Sequence, residues 1–268
     1  MIPSCVQSGS GELGTVVALH SLGLDAAAFT PLGHCLGQGW RLITFDQLGH
    51  GTRALTPPTS FEALVDDAVA VVETQQAGPV HLLGHSMGGA VAALATARAD
   101  VRIASLTLVA TPPMGLPAFV ERGEQALRGG MENAIETTLA RWFGAGEEDD
   151  VAHRYATRSL RRMTPAGYAA CWRVFASFGG YRELVAKLPS TLLLAMANDI
   201  STPPSALTEI ADSFYADSRG ADIEMVTLPN SGHMGPLTHP AALAEVLTSY
   251  WRRCSCLAEA ASAYRNKE

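Results

Sequence analysis

Charge is scarce in this chain. Of 268 residues only 17% are charged, and 26 acidic against 19 basic side chains leave a formal net charge of −7. Lacking a basic excess, the surface has nothing with which to neutralise phosphates, which excludes nucleic acid and anionic membrane as expected partners and leaves a small-molecule substrate. Cysteine is sparse too. The five, Cys5, Cys35, Cys171, Cys254 and Cys256, are odd in number and scattered, with no Cys-x-x-Cys and no His/Cys ligand spacing. That pattern argues against structural zinc and fits a reducing, cytoplasmic setting. No apolar run reaches the length of a membrane span, and no basic segment leads into an apolar stretch with a cleavage site, so a soluble, unexported protein is expected. What the chain has in plenty is apolar side chain, 47% by count. That is enough to build the core of one large α/β domain or two small ones.

Short apolar runs with β-branched residues recur at 15–19, 40–45, 80–83, 105–109, 191–196 and 223–228. Between them, at 26–36, 61–76, 90–98, 204–215 and 241–251, apolar residues fall at helical spacing. Strands alternating with helices predict an α/β fold, a mostly parallel twisted sheet covered by helices on both faces. The rhythm stops between Pro112 and Leu188. There four amphipathic stretches, 117–127, 131–143, 151–163 and 165–178, follow one another without a strand, and the acidic run Glu147-Glu148-Asp149-Asp150 suits a helix start. We therefore expect a core of residues 1–112 and 189–252, interrupted by a helical cap at 113–188. Ligands of open α/β sheets bind beyond the carboxyl ends of the strands, so a cap inserted there roofs the pocket. Residues 253–268, alanine-rich and then charged, form a C-terminal tail that either extends the last helix or frays, and a frayed end is expected.

The segment Leu82-Leu83-Gly84-His85-Ser86-Met87-Gly88-Gly89 puts one serine in a Gly-x-Ser-x-Gly frame, between the run at 80–83 and an alanine-rich helical stretch. On such a strand-to-helix turn the serine takes strained backbone angles, and Gly84 and Gly88 leave space where a β-carbon would clash. The hydroxyl is pushed out at the carboxyl end of the sheet, and the Met87 amide faces a developing oxyanion at the helix N-terminus. Serine is a weak nucleophile until a base takes its proton, and the base needs a carboxylate to orient it. Asp199 follows an apolar run and precedes Thr202-Pro203-Pro204; His233 lies in Pro229-Asn230-Ser231-Gly232-His233, beyond the next run. Ser86, Asp199 and His233 thus stand at strand ends in the order nucleophile, acid, base.

The first strand ends in His20-Ser21-Leu22-Gly23, a turn that offers the Leu22 amide as a second oxyanion donor beside Met87. His20 is expected to shape that loop rather than move a proton. Asp46, in Asp46-Gln47-Leu48-Gly49-His50-Gly51, is a rival acid but precedes the nucleophile, and a structural turn is the expected role. Candidate pocket residues are His85 beside the serine and Trp142, Tyr168, Trp172 and Phe175 from the cap, although aromatic residues at helical spacing more often pack. Neither metal nor organic cofactor is needed by an activated serine facing two amides.

Together these residues resemble the α/β-hydrolase superfamily, over residues 15–251. The resemblance implies that superfamily's fold, with about seven strands. Only fourteen residues precede the strand at 15, too few for the usual N-terminal antiparallel hairpin, so the first strand is expected to be missing. Within the cap, Arg141-Trp142-Phe143 followed by Thr164-Pro165-Ala166-Gly167-Tyr168-Ala169-Ala170-Cys171 is similar to the 3-oxoadipate enol-lactonase group. That likeness implies a carboxylic ester or lactone hydrolase working through an acyl-enzyme. Two departures imply a different substrate: Leu48 replaces the arginine usual before Gly-His-Gly, and the acidic residue expected after the cap helix falls in Phe178-Gly179-Gly180-Tyr181. One alternative is carbon–carbon bond hydrolysis or a lyase-type reaction on a β-diketone-like substrate. Met234 argues against it, standing where carbon–carbon hydrolases of the superfamily often carry tryptophan. Another is a non-hydrolytic ligand-binding or biosynthetic helper protein, against which the complete Ser86, Asp199, His233 set argues.

Overall fold

Seven strands form one sheet in the computed structural model, which describes residues 2–75, 78–143, 151–217 and 222–265. They are β1 (Cys5–Ser8), β2 (Gly14–Leu19), β3 (Trp40–Phe45), β4 (Val80–His85), β5 (Ile103–Val109), β6 (Ser190–Met196) and β7 (Ile223–Leu228), in the spatial order β1-β3-β2-β4-β5-β6-β7. From β3 to β7 every neighbouring pair is parallel. β2 and β4 lie side by side in the middle, and every residue of both is buried. A parallel strand covered by helices on both faces has no solvent side, which is why these runs show no polar alternation. β1 is the exception: it lies antiparallel on β3, pairing Cys5 with Phe45 and Ser8 with Leu42. The sheet thus begins on a single short antiparallel strand in place of a hairpin.

Helices cover both faces. On one side α1 (Thr30–Leu36) and α9 (Pro240–Arg265), which follows the one-turn α8 (Gly235–Thr238), pack Leu32, Leu243 and Trp251 against Val16, Leu83 and Leu194. On the other side α2 (Phe61–Glu73) and α3 (Met87–Arg98) bury Val65 and Ala92 against Val17 and Leu82, and α7 (Pro204–Asp217) adds Phe214. The chain leaves β2 for β3 on one side and returns to β4 on the other, so the loops after β2 and β4 diverge and open a crevice at their carboxyl ends.

Between β5 and β6 the chain inserts α4 (Pro117–Trp142), α5 (Val151–Arg161) and α6 (Pro165–Ala176). The two stretches read at 117–127 and 131–143 are the halves of α4, broken where Gly130 takes φ 78° and ψ 173°. α6 starts on Thr164, whose hydroxyl accepts the Gly167 amide at 3.0 Å, with Pro165 in the first turn. The acidic run 147–150 lies outside the described residues. α9 continues to Arg265, past the point where a fraying tail was expected. Cys254 and Ser255 are buried there, and the Ser255 hydroxyl meets His81 Nε2 at 3.1 Å, anchoring the extension on the sheet. Among the described residues no helix is long and apolar enough to cross a membrane.

Candidate active site

Ser86 sits between β4 and α3 with φ 55° and ψ −119°, angles that only a tightly determined turn holds in a non-glycine residue. Three glycines determine it. A β-carbon on Gly84 would stand 2.3 Å from the Gly88 carbonyl, one on Gly88 2.2 Å from the Leu19 carbonyl, and one on Gly89 2.0 Å from the Thr111 hydroxyl. At Gly84 and Gly88 the strand, the helix and the neighbouring strand end therefore touch backbone to backbone, and at Gly89 the Thr111 side chain fills the space. Ser86 donates its own amide to Val109 at 2.8 Å but makes no side-chain cap, so its hydroxyl is not spent on the helix. Met87 is the first residue of α3, and its amide has no acceptor within the helix.

β6 and β7 deliver the other two groups. The Asp199 Oδ1 atom accepts the amides of Ser201 at 2.7 Å and Thr202 at 2.9 Å, while Oδ2 accepts the His233 Nδ1 proton at 2.6 Å. Both side chains are buried. The two loops are stitched together by Asn198 donating to the Ser231 carbonyl at 2.9 Å, and Asn230 turns the chain at φ 55°. His85 donates Nε2–H to the His233 carbonyl at 2.9 Å. Burial, with His233 beside it, holds His85 well below the ordinary imidazole pKa, so it acts as a neutral strut for the histidine loop.

Ser86 and His233 line one narrow cavity, together with Ser21, Leu22, Pro112, Phe119, Arg122 and Trp142. Trp172, Phe175, Ser201 and Thr202 close it. Of the expected pocket residues, Trp142, Trp172 and Phe175 are brought there, and Trp142 lies against His233 with ring centroids 6.4 Å apart. His85 and Tyr168 are placed elsewhere: His85 props the loop, and the Tyr168 hydroxyl bonds to Thr138 Oγ1 at 2.9 Å, buried within the insertion. A larger cleft of about 230 Å³ lies between β1 and α1 and contains none of these groups.

Ser21, Pro112, Phe119, Arg122, Ser201 and Thr202 line the cavity without having been singled out in the sequence, and Arg122 is the charged one among them. Between Glu121 and Gly123 it looks like part of a solvated helix face, yet its guanidinium lies 5.0 Å from the Phe119 ring and 4.9 Å from the Trp172 ring. Burial and repulsion from Arg141 pull its pKa down to about 10, still fully charged at neutral pH. Among the described residues no carboxylate pairs with it. Trp172 Nε1, also buried, has no hydrogen-bond acceptor there.

His20 is not a second base. It donates Nδ1–H to the Ser21 carbonyl at 2.9 Å and accepts the Gln47 amide on Nε2 at 3.1 Å, so both nitrogens are occupied in shaping the loop after β2. Asp46 is likewise committed to its turn, accepting the Ala26 amide and the Thr52 amide and hydroxyl. Burial alone would raise its pKa, but these donors outweigh it and the net shift is downward. No cluster of three metal-ligating side chains occurs among the described residues.

Burial lowers the pKa of four histidines, His20, His50, His81 and His85, and takes His50 and His81 to about 3. In the unfolded chain each titrates near 6.5, so as pH falls the unfolded state binds protons that the folded state refuses. Stability is therefore complete above that value and is lost progressively down to about 3. The urea midpoint is expected to fall already between roughly pH 6.5 and 5.5, above the carboxylate range. His81→Gln should flatten that slope, and a slope unchanged by the substitution would contradict the assignment.

The chain matches the family model described as the alpha/beta hydrolase family over residues 16–246. It is 26% identical over 254 residues to (E)-2-((N-methylformamido)methylene)succinate hydrolase of Acinetobacter baylyi, covering 91% of this chain and 92% of that protein. To 3-oxoadipate enol-lactonase 1 of the same organism it is 25% identical over 202 residues, covering 73% and 75%. Among solved structures, the enol-lactonase from Burkholderia xenovorans LB400 is similar with a TM-score of 0.81 at 23% identity, covering 92% of this chain and 95% of that one. At that identity the likeness is one of fold.

Proposed function

Because the chain belongs to the α/β-hydrolase family, we propose that it hydrolyses a small ester or lactone carrying an anionic group. Ser86 is the nucleophile, His233 the base and Asp199 its carboxylate, under a cap formed by residues 113–188. One observation carries this reading: Ser86, His233 and an arginine with no carboxylate partner among the described residues meet in a single cavity, and His233 is held on Asp199 at 2.6 Å.

The Ser86 oxygen adds to the substrate carbonyl carbon while its proton passes to His233 Nε2, and the carbonyl electron pair becomes an oxyanion facing the Leu22 and Met87 amides. Asp199 stabilises the imidazolium. When the oxyanion collapses, the alkoxide leaves with the proton from His233, and water then repeats the sequence on the acyl-enzyme. Arg122, held over the Phe119 and Trp172 rings, keeps its N–H groups available for a carboxylate, and Trp172 Nε1 supplies a further donor. The names of both curated relatives contain carboxylates, succinate in one and oxoadipate in the other.

The test compares methyl hydrogen succinate with dimethyl succinate, the same ester bond with and without a free carboxylate. A charge-assisted pair contributes about 1.5–3 kcal/mol, so kcat/KM is expected to favour the hemiester by roughly 10- to 100-fold. Arg122→Gln should remove most of that preference and leave the diester rate nearly unchanged. Preference for the diester in the unaltered protein, or equal losses on both esters in the variant, would overturn the anionic assignment. A fluorophosphonate is expected to label Ser86, and failure to label it would remove the nucleophile.

A further inference from the structure

The loop between His20 and Asp25 carries Leu22, and the inserted helices grip that loop at two points. The first is polar. Asp25 is buried at the loop's end, where its Oδ1 accepts the Ala27 amide at 3.0 Å and the Tyr155 hydroxyl at 2.6 Å. Its Oδ2 lies 3.5 Å from the guanidinium of Arg162. Tyr155 belongs to α5 and Arg162 follows its last turn. Burial raises the Tyr155 pKa and the Asp25 charge adds to it, so the hydroxyl stays a donor.

The second grip is steric. Gly23 takes φ +90°, and a β-carbon there would stand 2.7 Å from Leu160 Cδ2 and 2.9 Å from Trp142 Cη2. Leu160 is on α5, and Trp142, at the end of α4, also lies against His233. From the core side only fixed groups hold the loop, the Asp46 carboxylate on the Ala26 amide at 2.9 Å and the Gln47 side chain on the His20 carbonyl at 2.7 Å. The insertion is thus packed against the segment that bears one oxyanion donor.

We infer that Tyr155 and Asp25 form a clasp through which the insertion sets the position of the Leu22 amide, so that the oxyanion site is complete only when α5 is docked on the loop. Tyr155 and Asp25 are positioning residues, since neither lines the cavity that holds Ser86 and His233. The inference rests on the serine-hydrolase reading. It makes one sharp distinction: loosening the clasp weakens what binds as an oxyanion and spares what binds as a planar ground state.

The experiment uses Tyr155→Phe, which removes one hydroxyl and keeps the ring, and Asp25→Asn, which keeps an acceptor for both the Ala27 amide and Tyr155. Two ligands are compared in the full-length protein. One is 5,5,5-trifluoro-4-oxopentanoate, to whose ketone carbon the Ser86 oxygen adds, its proton going to His233 and the carbonyl pair becoming the oxyanion. The other is succinate, which forms no oxyanion. Rates on methyl hydrogen succinate are expressed per fluorophosphonate-reactive site, so that unfolded protein does not count.

Tyr155→Phe is expected to lower kcat about tenfold with little change in KM, and to raise the Ki of the ketone by the same factor while the succinate Ki holds. Asp25→Asn should stay within roughly threefold of the unaltered protein on every measure. An unchanged ketone Ki in Tyr155→Phe, or parallel losses for ketone and succinate, would overturn the clasp. Absence of ester turnover and of ketone addition in the unaltered protein would instead overturn the hydrolase reading, and the clasp with it.

Discussion

Alanine in place of Ser86 is expected to lower kcat on methyl hydrogen succinate by about 10⁵- to 10⁶-fold, the size of loss seen when the nucleophile of a serine triad is removed. The protein should stay folded, for a reason local to the turn. The Ser86 hydroxyl does not cap α3, and alanine meets the same backbone demand at φ 55° as serine does. Nothing structural is lost with the oxygen, so the melting temperature should move by no more than a surface substitution would allow, about 0.5 kcal/mol in stability. The Leu22 and Met87 amides survive in the variant, as does the Arg122 site, and a residual acceleration over water of roughly 10³-fold is expected from them. Steady-state kinetics with a thermal melt on the same sample checks both halves. Turnover within tenfold of the unaltered protein would mean that another group attacks, and the assignment of Ser86 would fall.

Much of the architecture was legible because the inner parallel strands are buried on both faces and so write themselves as continuous apolar runs, whereas the edge strand β7 buries only Leu228. β1 was not legible, since three of its four residues are exposed and its identity as a strand comes from hydrogen bonds to β3 rather than from its own pattern. The end of α9 was open to two readings, because alanine followed by charge can extend a helix or fray, and Cys254, Ser255 and the contact to His81 continue the helix on the sheet. Gly84 and Gly88 were legible from the motif, and each faces a backbone approach that only glycine permits.

Within the site the divide follows distance in the chain. Asp199 and His233 announced themselves by standing at strand ends, where local turn chemistry is visible in the sequence. Arg122 could not, because its exposure is decided by α6: without Trp172 folded over it, an arginine between Glu121 and Gly123 is a solvated side chain. Tyr168 shows the reverse. Its spacing suggested the pocket, but Thr138 one helix away claims its hydroxyl. His85 was expected in the pocket from its position next to Ser86, yet the contact it makes is to the His233 carbonyl, across 148 positions of chain.

Asp199→Asn is expected to cost about 10⁴-fold in kcat, nearly as much as removing the carboxylate, although asparagine is its closest match in shape. The reason lies in which oxygen is already claimed. The amides of Ser201 and Thr202 both donate to Oδ1, so in the variant the carbonyl oxygen must stay at that position and the NH₂ group must take the place of Oδ2. A donor then faces His233 Nδ1, which the native carboxylate meets as an acceptor at 2.6 Å. Nδ1 is forced to accept, the ring proton moves to Nε2, and the nitrogen facing the cavity can no longer receive the proton of Ser86. Rotating the amide to restore the tautomer would set its NH₂ against two backbone N–H groups in a buried site, an unfavourable exchange. The loss should therefore fall on kcat, with KM for methyl hydrogen succinate nearly constant and the fluorophosphonate labelling rate of Ser86 reduced in parallel. NMR of the imidazole protons should show the hydrogen on Nε2 in Asp199→Asn and on Nδ1 in the unaltered protein. An unchanged tautomer together with an unchanged kcat would mean that Asp199 serves only to anchor its own loop.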